Sequence, residues 1–382
     1  MAESRSAAGA PEAVSAVGAA ADRVAVPAAG RPAGAARAVT VREYGTRYLR
    51  ITVRYHGDAR FSWQRVPGPE HDRPQTPPPP AAGAALRRVD AALAEAGSGA
   101  GRGARLELGE WDAASEGGGV LYRVPGAVSV ARLLPSGDDT AHRLSVGALA
   151  DAGRTLRRLH DVPWEFGERR PHHGVGRLLA WLSGSADAST EGAPDGARLR
   201  ALARERLGSR LWNRLADWAE SAQSPPGRGG AVLLHGAPST GWLVPSPAGD
   251  HTVLLTGEEV TGGDPALDLG WVLGELHELR SAATRGLGAA GQGPPVDYPA
   301  AARALLAGYL RKEDALAGAG ADLLTEDATA ALPPGTARAA TLRLAVHMRD
   351  FASFVGWHED LRHYADLLAE TLDADGAPTL RW

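Results

Sequence analysis

The sequence predicts an α+β molecule of two lobes, a small sheet-based one and a larger, mostly helical one. Three observations carry this. β-rich runs with one amphipathic helix fill residues 39–135. Apolar residues at helical spacing dominate the chain beyond. And 382 residues, 44% of them hydrophobic and 23% charged, are ample for a large buried core. Lys plus Arg is 41 against 45 Asp plus Glu, a net charge of −4, which removes the electrostatic case for a general nucleic-acid binder. The absence of cysteine excludes disulfides, thiolate nucleophiles and thiolate metal sites. No apolar run approaches the roughly 20 residues of a membrane helix, so neither nucleic acid nor membrane is expected as a partner. Lys312 is the sole lysine, and the chain is rich in Ala, with 48 Gly and 27 Pro. A high-GC coding bias gives this pattern and makes Ala a poor guide to helix.

Residues 1–38 hold small and polar side chains with no Leu, Ile or Phe. They read as a disordered tail, unable to bury enough apolar surface to offset its ordering entropy. Val14 and Val17 among alanines are too weak an apolar stretch for a secretory signal, so a cytoplasmic location is expected. From Val39, VTVREYG, YLRITVRYHG and RFSWQRVPG are three β-rich runs separated by Gly-containing turns, the pattern of a meander. RPQTPPPPAAG (Arg73–Gly83) follows as an extended, semi-rigid connector. AALRRVDAALAEAG (Ala84–Gly97) places Leu86, Val89, Ala92 and Leu93 at helical spacing, with Gly97 as a stop. RLELGEWD and VLYRVPGAVSVARLLP read as two more strands of the small lobe.

Helical patterns then cover Ser145–Val162, Leu199–Glu220, Ala266–Arg280, Pro299–Leu316, Thr336–Val355 and His358–Leu372. SPPGRGG (Ser224–Gly230) breaks the second of them. AVLLHGAP and HTVLLTGEE are short apolar strands flanking a loop. Trp181, Trp212, Trp218 and Trp271 stand at core positions.

The informative stretch is Leu233–Leu276, which runs strand, His-Gly loop, strand, acidic loop, Gly-Asp-Pro, helix. Here the sequence resembles the aminoglycoside-phosphotransferase-like kinases. In that family a loop reads H-G-D-x-x-x-x-N, its Asp the catalytic base and its Asn a metal ligand. A second strand ends in I-D-[WF], whose Asp binds Mg²⁺, and G-D-P-x-x-D-L opens a helix. GDPALDLG (Gly263–Gly270) is the most specific match. RTLRRLHDVP (Arg154–Pro163), the hinge-like VLYRVPGAVSV (Val120–Val130) and the third-strand-like FSWQRVPG (Phe61–Gly68) agree in order, so that the resemblance covers about Val39 to Leu372. It implies a protein-kinase-like fold of the aminoglycoside-phosphotransferase type, with a tail at 1–38, a small N-lobe at 39–135 and a helical C-lobe at 136–382. ATP and Mg²⁺ are the cofactors it implies.

The residues that carry the family's chemistry are replaced. The HGD Asp falls on Ala237, the Asn on Trp242 and the Mg²⁺-binding Asp on Thr256; the third-strand Lys has only Arg65 as a counterpart. Ala237 cannot steer a hydroxyl, Trp242 offers no oxygen ligand, and Thr256 offers only a neutral hydroxyl where Mg²⁺ takes carboxylates. Arg65 keeps the charge of the phosphate contact without the compact ammonium. Glu258 and Glu259, two and three residues past Thr256 and longer than Asp by one methylene, are the candidate metal or base residues. Ser239 and Thr240 can add hydroxyls. A solvated turn is the plain alternative for the acidic pair. By the same resemblance His235 is the loop His, Asp264 an N-cap before Pro265, and Asp268 the buried Asp that bonds the loop backbone.

Other patterns carry less. GAPSTG has one residue too many for a G-x-S-x-G nucleophile elbow. His358 and His363 are one residue out of step with H-E-x-x-H and do not share a helix face. His172–His173 with Arg169 and Arg170 reads as a basic surface cluster.

HGAPSTG and LLTGEE further resemble loops of the kinase-like proteins of class V lanthipeptide and thioamitide pathways. That resemblance implies phosphorylation of Ser and Thr in a precursor peptide beside a separate lyase. Two other readings stay open: a catalytically dead pseudokinase that binds the peptide or a partner enzyme, and a small-molecule phosphotransferase.

Overall fold

The computed structural model describes residues 38–97, 103–112, 118–185, 194–224, 230–287, 295–311 and 330–382. Residues 1–37 of the tail expected at 1–38, Lys312 and the end of the helix expected at Pro299–Leu316 lie outside them. The fold class is α+β, as expected: a five-stranded antiparallel sheet near the start of the described chain and a mostly helical part after it.

β1 (Val39–Gly45), β2 (Leu49–Tyr55) and β3 (Phe61–Pro67) form the expected antiparallel meander. Strand alternation turns Ile51, Val53 and Trp63 to the inner face. The helix α1 (Pro80–Gly97) begins at the last proline of the run, not at Ala84. Proline suits a first helical turn because its missing N–H has no partner there anyway. Leu86, Val89 and Leu93 are its buried stripe.

RLELGEWD is not one strand but two. β4 (Gly103–Glu107) and β5 (Glu110–Asp112) are separated at Gly109, whose φ is +70°. A Cβ there would lie 2.3 Å from Val120 Cγ1, so glycine is required twice over. β6 (Gly119–Val124) joins β3 and β5, giving the sheet order β1-β2-β3-β6-β5. β4 instead leaves this sheet.

The larger lobe follows α2 (Val130–Leu133) with the long α3 (Asp139–His160), capped by Asp138 on Ala141 N at 2.8 Å. α4 (His173–Ser183) and α5 (Pro194–Gln223), kinked at Gly208, come next. β7 (Val232–Leu234) precedes β8 (Leu243–Pro245) and β9 (His251–Leu255), and β4 pairs with β9 in parallel. The small lobe's chain is thus stitched to the strand that leads into the acidic loop. β10 (Thr261–Gly263) pairs with β7. The helices α6 (Pro265–Thr284), α7 (Tyr298–Leu310), α8 (Thr336–Phe354) and α9 (Asp360–Asp373) complete the lobe. Trp181, Trp212, Trp218 and Trp271 are buried, as expected. Among the described residues no helix is long and apolar enough to cross a membrane.

Two apolar clusters fill the helical lobe, one of them extending under α1. A third joins the inner face of the five-stranded sheet to Val244, Val253 and Leu255 of β8 and β9. The interface between the lobes is therefore packed core where the two sheets face each other.

Candidate functional site

The His-Gly loop after β7 is held from below by α6. Asp268, fully buried one turn into that helix, accepts from His235 N at 2.7 Å and from Gly236 N at 2.8 Å. His160 Nε2 donates to the same carboxylate at 3.2 Å, which leaves its Nδ1 to accept from the Tyr309 hydroxyl at 2.9 Å. Burial pushes the Asp268 carboxyl up, but these donors outweigh it and hold it below the usual carboxylate range. His235 donates through Nε2 to Leu255 O at 2.8 Å, and burial keeps its imidazole pKa below the ordinary value. Gly236 sits at φ +93°, and a Cβ there would be 1.9 Å from Glu259 O. This contact seats the His-Gly loop directly on the acidic loop. Glu275, two turns further along α6, anchors the loop again by accepting from Thr240 N at 2.8 Å and Thr240 Oγ1 at 2.7 Å. Ser239 is half-buried, its carbonyl accepting from Trp242 N at 3.0 Å. Asp264 caps α6 through Ala266 N at 2.8 Å.

The positions on which the resemblance places the family's chemistry have structural roles here. Ala237 packs against the helical core. Thr256 donates to Glu107 O through both its N, at 2.9 Å, and its hydroxyl, at 3.1 Å, and its own carbonyl accepts from Tyr122 OH at 2.6 Å. Arg65 points inward from β3 and is only 7% exposed. Its guanidinium lies 4.6 Å from the Trp242 ring centroid, a cation–π contact. It also crosses Gly257, where a Cβ would be 2.7 Å from Nη1.

Arg65 ends at Glu258. That side chain is 1% exposed and is ringed by Arg65 Nη2 at 3.6 Å, His71 Nε2 at 3.4 Å and Arg73 Nη2 at 3.2 Å. Arg170 donates to the Glu258 carbonyl at 3.3 Å and to Pro77 O at 2.7 Å. Glu259 turns the other way, to His173 Nδ1 at 3.0 Å. Arg73 also donates to His173 Nε2, so a single chain of contacts runs from Glu258 through Arg73 and His173 to Glu259. The two carboxyls shift in opposite directions. Burial pushes Glu258 up, but His71, Arg65 and Arg73 more than reverse this. Burial, reinforced by Glu258, raises Glu259.

Glu258 and Glu259 therefore do not converge on the place of Thr256, as a shared metal would require. Among the described residues no group of three His, Asp or Glu is placed to hold a metal. Mg²⁺ takes oxygen ligands. Here the oxygens of Glu258 face Arg65, Arg73 and the His71 ring, and the Thr256 hydroxyl is bonded to a carbonyl. The residues present do not fit that ion.

The small sheet is also tied directly to the helical part. The turn between β1 and β2 docks on the end of α8, with Arg47 N donating to Phe354 O at 3.2 Å and the Arg47 guanidinium donating to Ser353 O. Tyr48 stacks on His71 at 4.3 Å and lies 4.7 Å from Phe354. Arg177, paired with Asp350 at 2.6 Å, donates to the Tyr48 hydroxyl at 3.0 Å.

The expected basic surface cluster at His172–His173 is not one. His172 is a buried cap of α4, accepting from Val175 N at 3.2 Å, and burial keeps its pKa low. His173 belongs to the acidic loop's chain of contacts. His71 and Arg73 were missed because they lie in and beside what reads as a connector. The signal was the polar triplet His71-Asp72-Arg73, a few residues ahead of the four-proline run.

No protein-family model matches the chain, and no curated protein matches it in sequence. Among solved structures it is similar to a choline/ethanolamine kinase family protein from Mesorhizobium loti, at 17% identity over 94% of this chain and 95% of that one, TM-score 0.41. It is also similar to an ethanolamine kinase from Plasmodium vivax, at 10% identity over 88% and 82%, TM-score 0.47. A third is an aminoglycoside phosphotransferase from Streptomyces rimosus, at 17% identity over 70% and 87%, TM-score 0.36.

Proposed function

We propose that this chain is a kinase-like binding protein, a pseudokinase that serves as a scaffold for a precursor peptide or for its partner lyase in peptide natural-product maturation. The observation that carries this is the enclosure of Glu258 by Arg65, His71 and Arg73. Phosphoryl transfer consists mostly of positioning and charge neutralisation, with a metal bridging phosphate oxygens and a carboxylate orienting the nucleophile. Here the carboxylate beside the lost metal position already neutralises the arginine that would meet a phosphate. Ala237 has no group to orient a hydroxyl. The elements that shape the cleft do not depend on that chemistry: Asp268 and Glu275 hold the loop, and Asp264 starts the helix. The peptide and the lyase come from the resemblance of HGAPSTG and LLTGEE to loops of that group.

The rival is an atypical Ser/Thr peptide phosphotransferase in which Glu258 or Glu259 serves metal or base. Titration calorimetry with ATP, with and without Mg²⁺, separates the two. We expect no heat in either condition from protein shown to be folded by circular dichroism. Metal-dependent binding in the micromolar range overturns the scaffold reading and directs the search to a phosphorylated peptide.

A further inference from the structure

Where α1 passes the end of α3, a groove of about 350 Å³ stays open. One wall is α1, which turns Ala85, Val89 and Ala92 into it at the i, i+4, i+7 spacing of a single helix face. The other wall is Val162 and Pro163, just past α3. Ala92 is exposed, and its lone methyl leaves the mouth unfilled. At the rim stand Arg88 from α1 and Arg158 from α3. Both are exposed, and neither has an acidic or hydrogen-bonding partner among the described residues. The nearby carboxylates are engaged elsewhere. Asp161, which also lines the groove, pairs with Arg157 at 2.9 Å and with Arg311, and Asp90 of α1 pairs with Arg105 at 2.8 Å. The rim is thus positive on a chain whose net charge is −4. The second wall is also joined to the strand that leads into the His-Gly loop. Leu233 N donates to Val162 O at 2.8 Å, and Trp164 N donates to Ala231 O at 2.9 Å.

Unpaired charge and unfilled apolar volume occur here together. A ligand that satisfies both is apolar in its middle and anionic on either side. The volume lies at the low end of the roughly 300–1,000 Å³ of small-molecule sites, so it seats an anchoring group rather than a whole ligand. A peptide supplies an apolar anchor and flanking carboxylates from one chain, and opposite charges across such a contact steer encounter and fix register. We propose that this groove is a peptide-docking site that takes an apolar anchor flanked by Asp or Glu, with Arg88 and Arg158 meeting the carboxylates. The proposal rests on the scaffold reading for its partner being a peptide, and adds where that peptide docks and what chemistry it presents.

Fluorescence anisotropy of a labelled peptide, Gly-Ser-Glu-Glu-Leu-Leu-Glu-Glu-Ser-Gly, tests this on the full chain. Saturable binding is expected, weakening from about 50 to about 500 mM salt as the exposed charges are screened. Arg88→Glu with Arg158→Glu reverses the rim charge, and Ala92→Trp fills the groove from an exposed position. Each is expected to remain folded by circular dichroism and to weaken binding about tenfold. Arg50→Glu with Arg54→Glu, an equal charge change on β2, is expected to leave binding unmoved. Counterpart peptides with Ser-Ser for Leu-Leu, or Arg for Glu, are expected not to bind. No saturable binding, equal binding of either counterpart, or unchanged binding by either groove variant overturns the proposal. So does a dimer in sedimentation velocity that Ala92→Trp abolishes, which assigns the groove to a second copy of this chain. Displacement of the peptide by equimolar decanoate overturns it too, by assigning the groove to a small amphiphile. The two readings fail separately. ATP binding by the unsubstituted protein sinks the scaffold reading without touching the peptide measurement, whereas absent peptide binding sinks this proposal and leaves the scaffold its partner lyase.

Discussion

Glu258→Leu is expected to destabilise the protein by about 3–5 kcal/mol, the cost of leaving a buried charge without its partner. Arg65 decides the size of the loss. Its side chain is 9% exposed and lies across Gly257 and Trp242, so it has no route to water. Arg73, at 30%, can swing outward and regain solvent. The double variant Arg65→Met with Glu258→Leu is therefore expected to recover about 1–3 kcal/mol of the single loss, because removing both buried charges also removes their desolvation cost. Denaturant midpoints of the unsubstituted protein, Glu258→Leu, Arg65→Met and the double variant measure this, and simple additivity contradicts the pairing. The pH dependence follows from the direction of the shift. Glu258 is held below its unfolded value, so its contribution is present above the unfolded carboxylate pKa of about 4.3 and is lost as pH falls through the folded value. The gap between the unsubstituted protein and Glu258→Leu should be widest near neutral pH and should narrow in acid.

What was legible in the sequence was whatever local chemistry dictates. The alternation in VTVREYG and its two successors specified a meander, and Asp264 before Pro265 in GDPALDLG specified a capped helix; that Asp268 reaches the preceding loop was implied only by the family resemblance. Those features need only neighbours within one or two elements. The charge cluster needs five segments at once: β3, the connector after it, the residues before α4, α4 itself and the acidic loop. No periodicity in any of them encodes the meeting. The connector does join β3 to α1, but its sequence does not show that its flank carries part of the cluster. Its prolines make it look like a spacer, while His71 and Arg73 ahead of them reach Glu258, His71 also stacking on Tyr48. The splitting of RLELGEWD was hidden because both halves alternate properly; only the positive φ of Gly109 separates them, and a glycine between strand residues is ambiguous from sequence alone. The four replaced positions, Ala237, Trp242, Thr256 and Arg65, were visible one by one. That Arg65 and Trp242 lie against each other became visible only in three dimensions.

Asp268→Asn is expected to cost at least as much as Glu258→Leu, about 3–5 kcal/mol, although the substitution changes no volume. The carboxylate is fully buried and accepts from His235 N, Gly236 N and His160 Nε2. An amide has one acceptor oxygen, so its NH₂ must face at least one of these donors. Neither backbone N–H can move away. Gly236 is pinned at positive φ against Glu259 O, and His235 is tied at its other end to Leu255 O. His160 can change tautomer, but the Tyr309 hydroxyl then has to turn from donor to acceptor. This separates Asp268 from Glu258, whose partners are side chains and one of which can reach water. Because the folded-state pKa of Asp268 is depressed, its stabilisation is present above the unfolded Asp value of about 3.9 and disappears as pH falls through the folded value. Asp268→Asn should accordingly show a flatter acid limb than the unsubstituted protein in pH-dependent urea unfolding. A variant within about 1 kcal/mol of the unsubstituted protein, well short of the cost of unpaired buried donors, would mean that the loop is held by Glu275 and packing alone. The rigidity required of a scaffold would then come from the Glu275–Thr240 bonds and the packing around the loop rather than from Asp268.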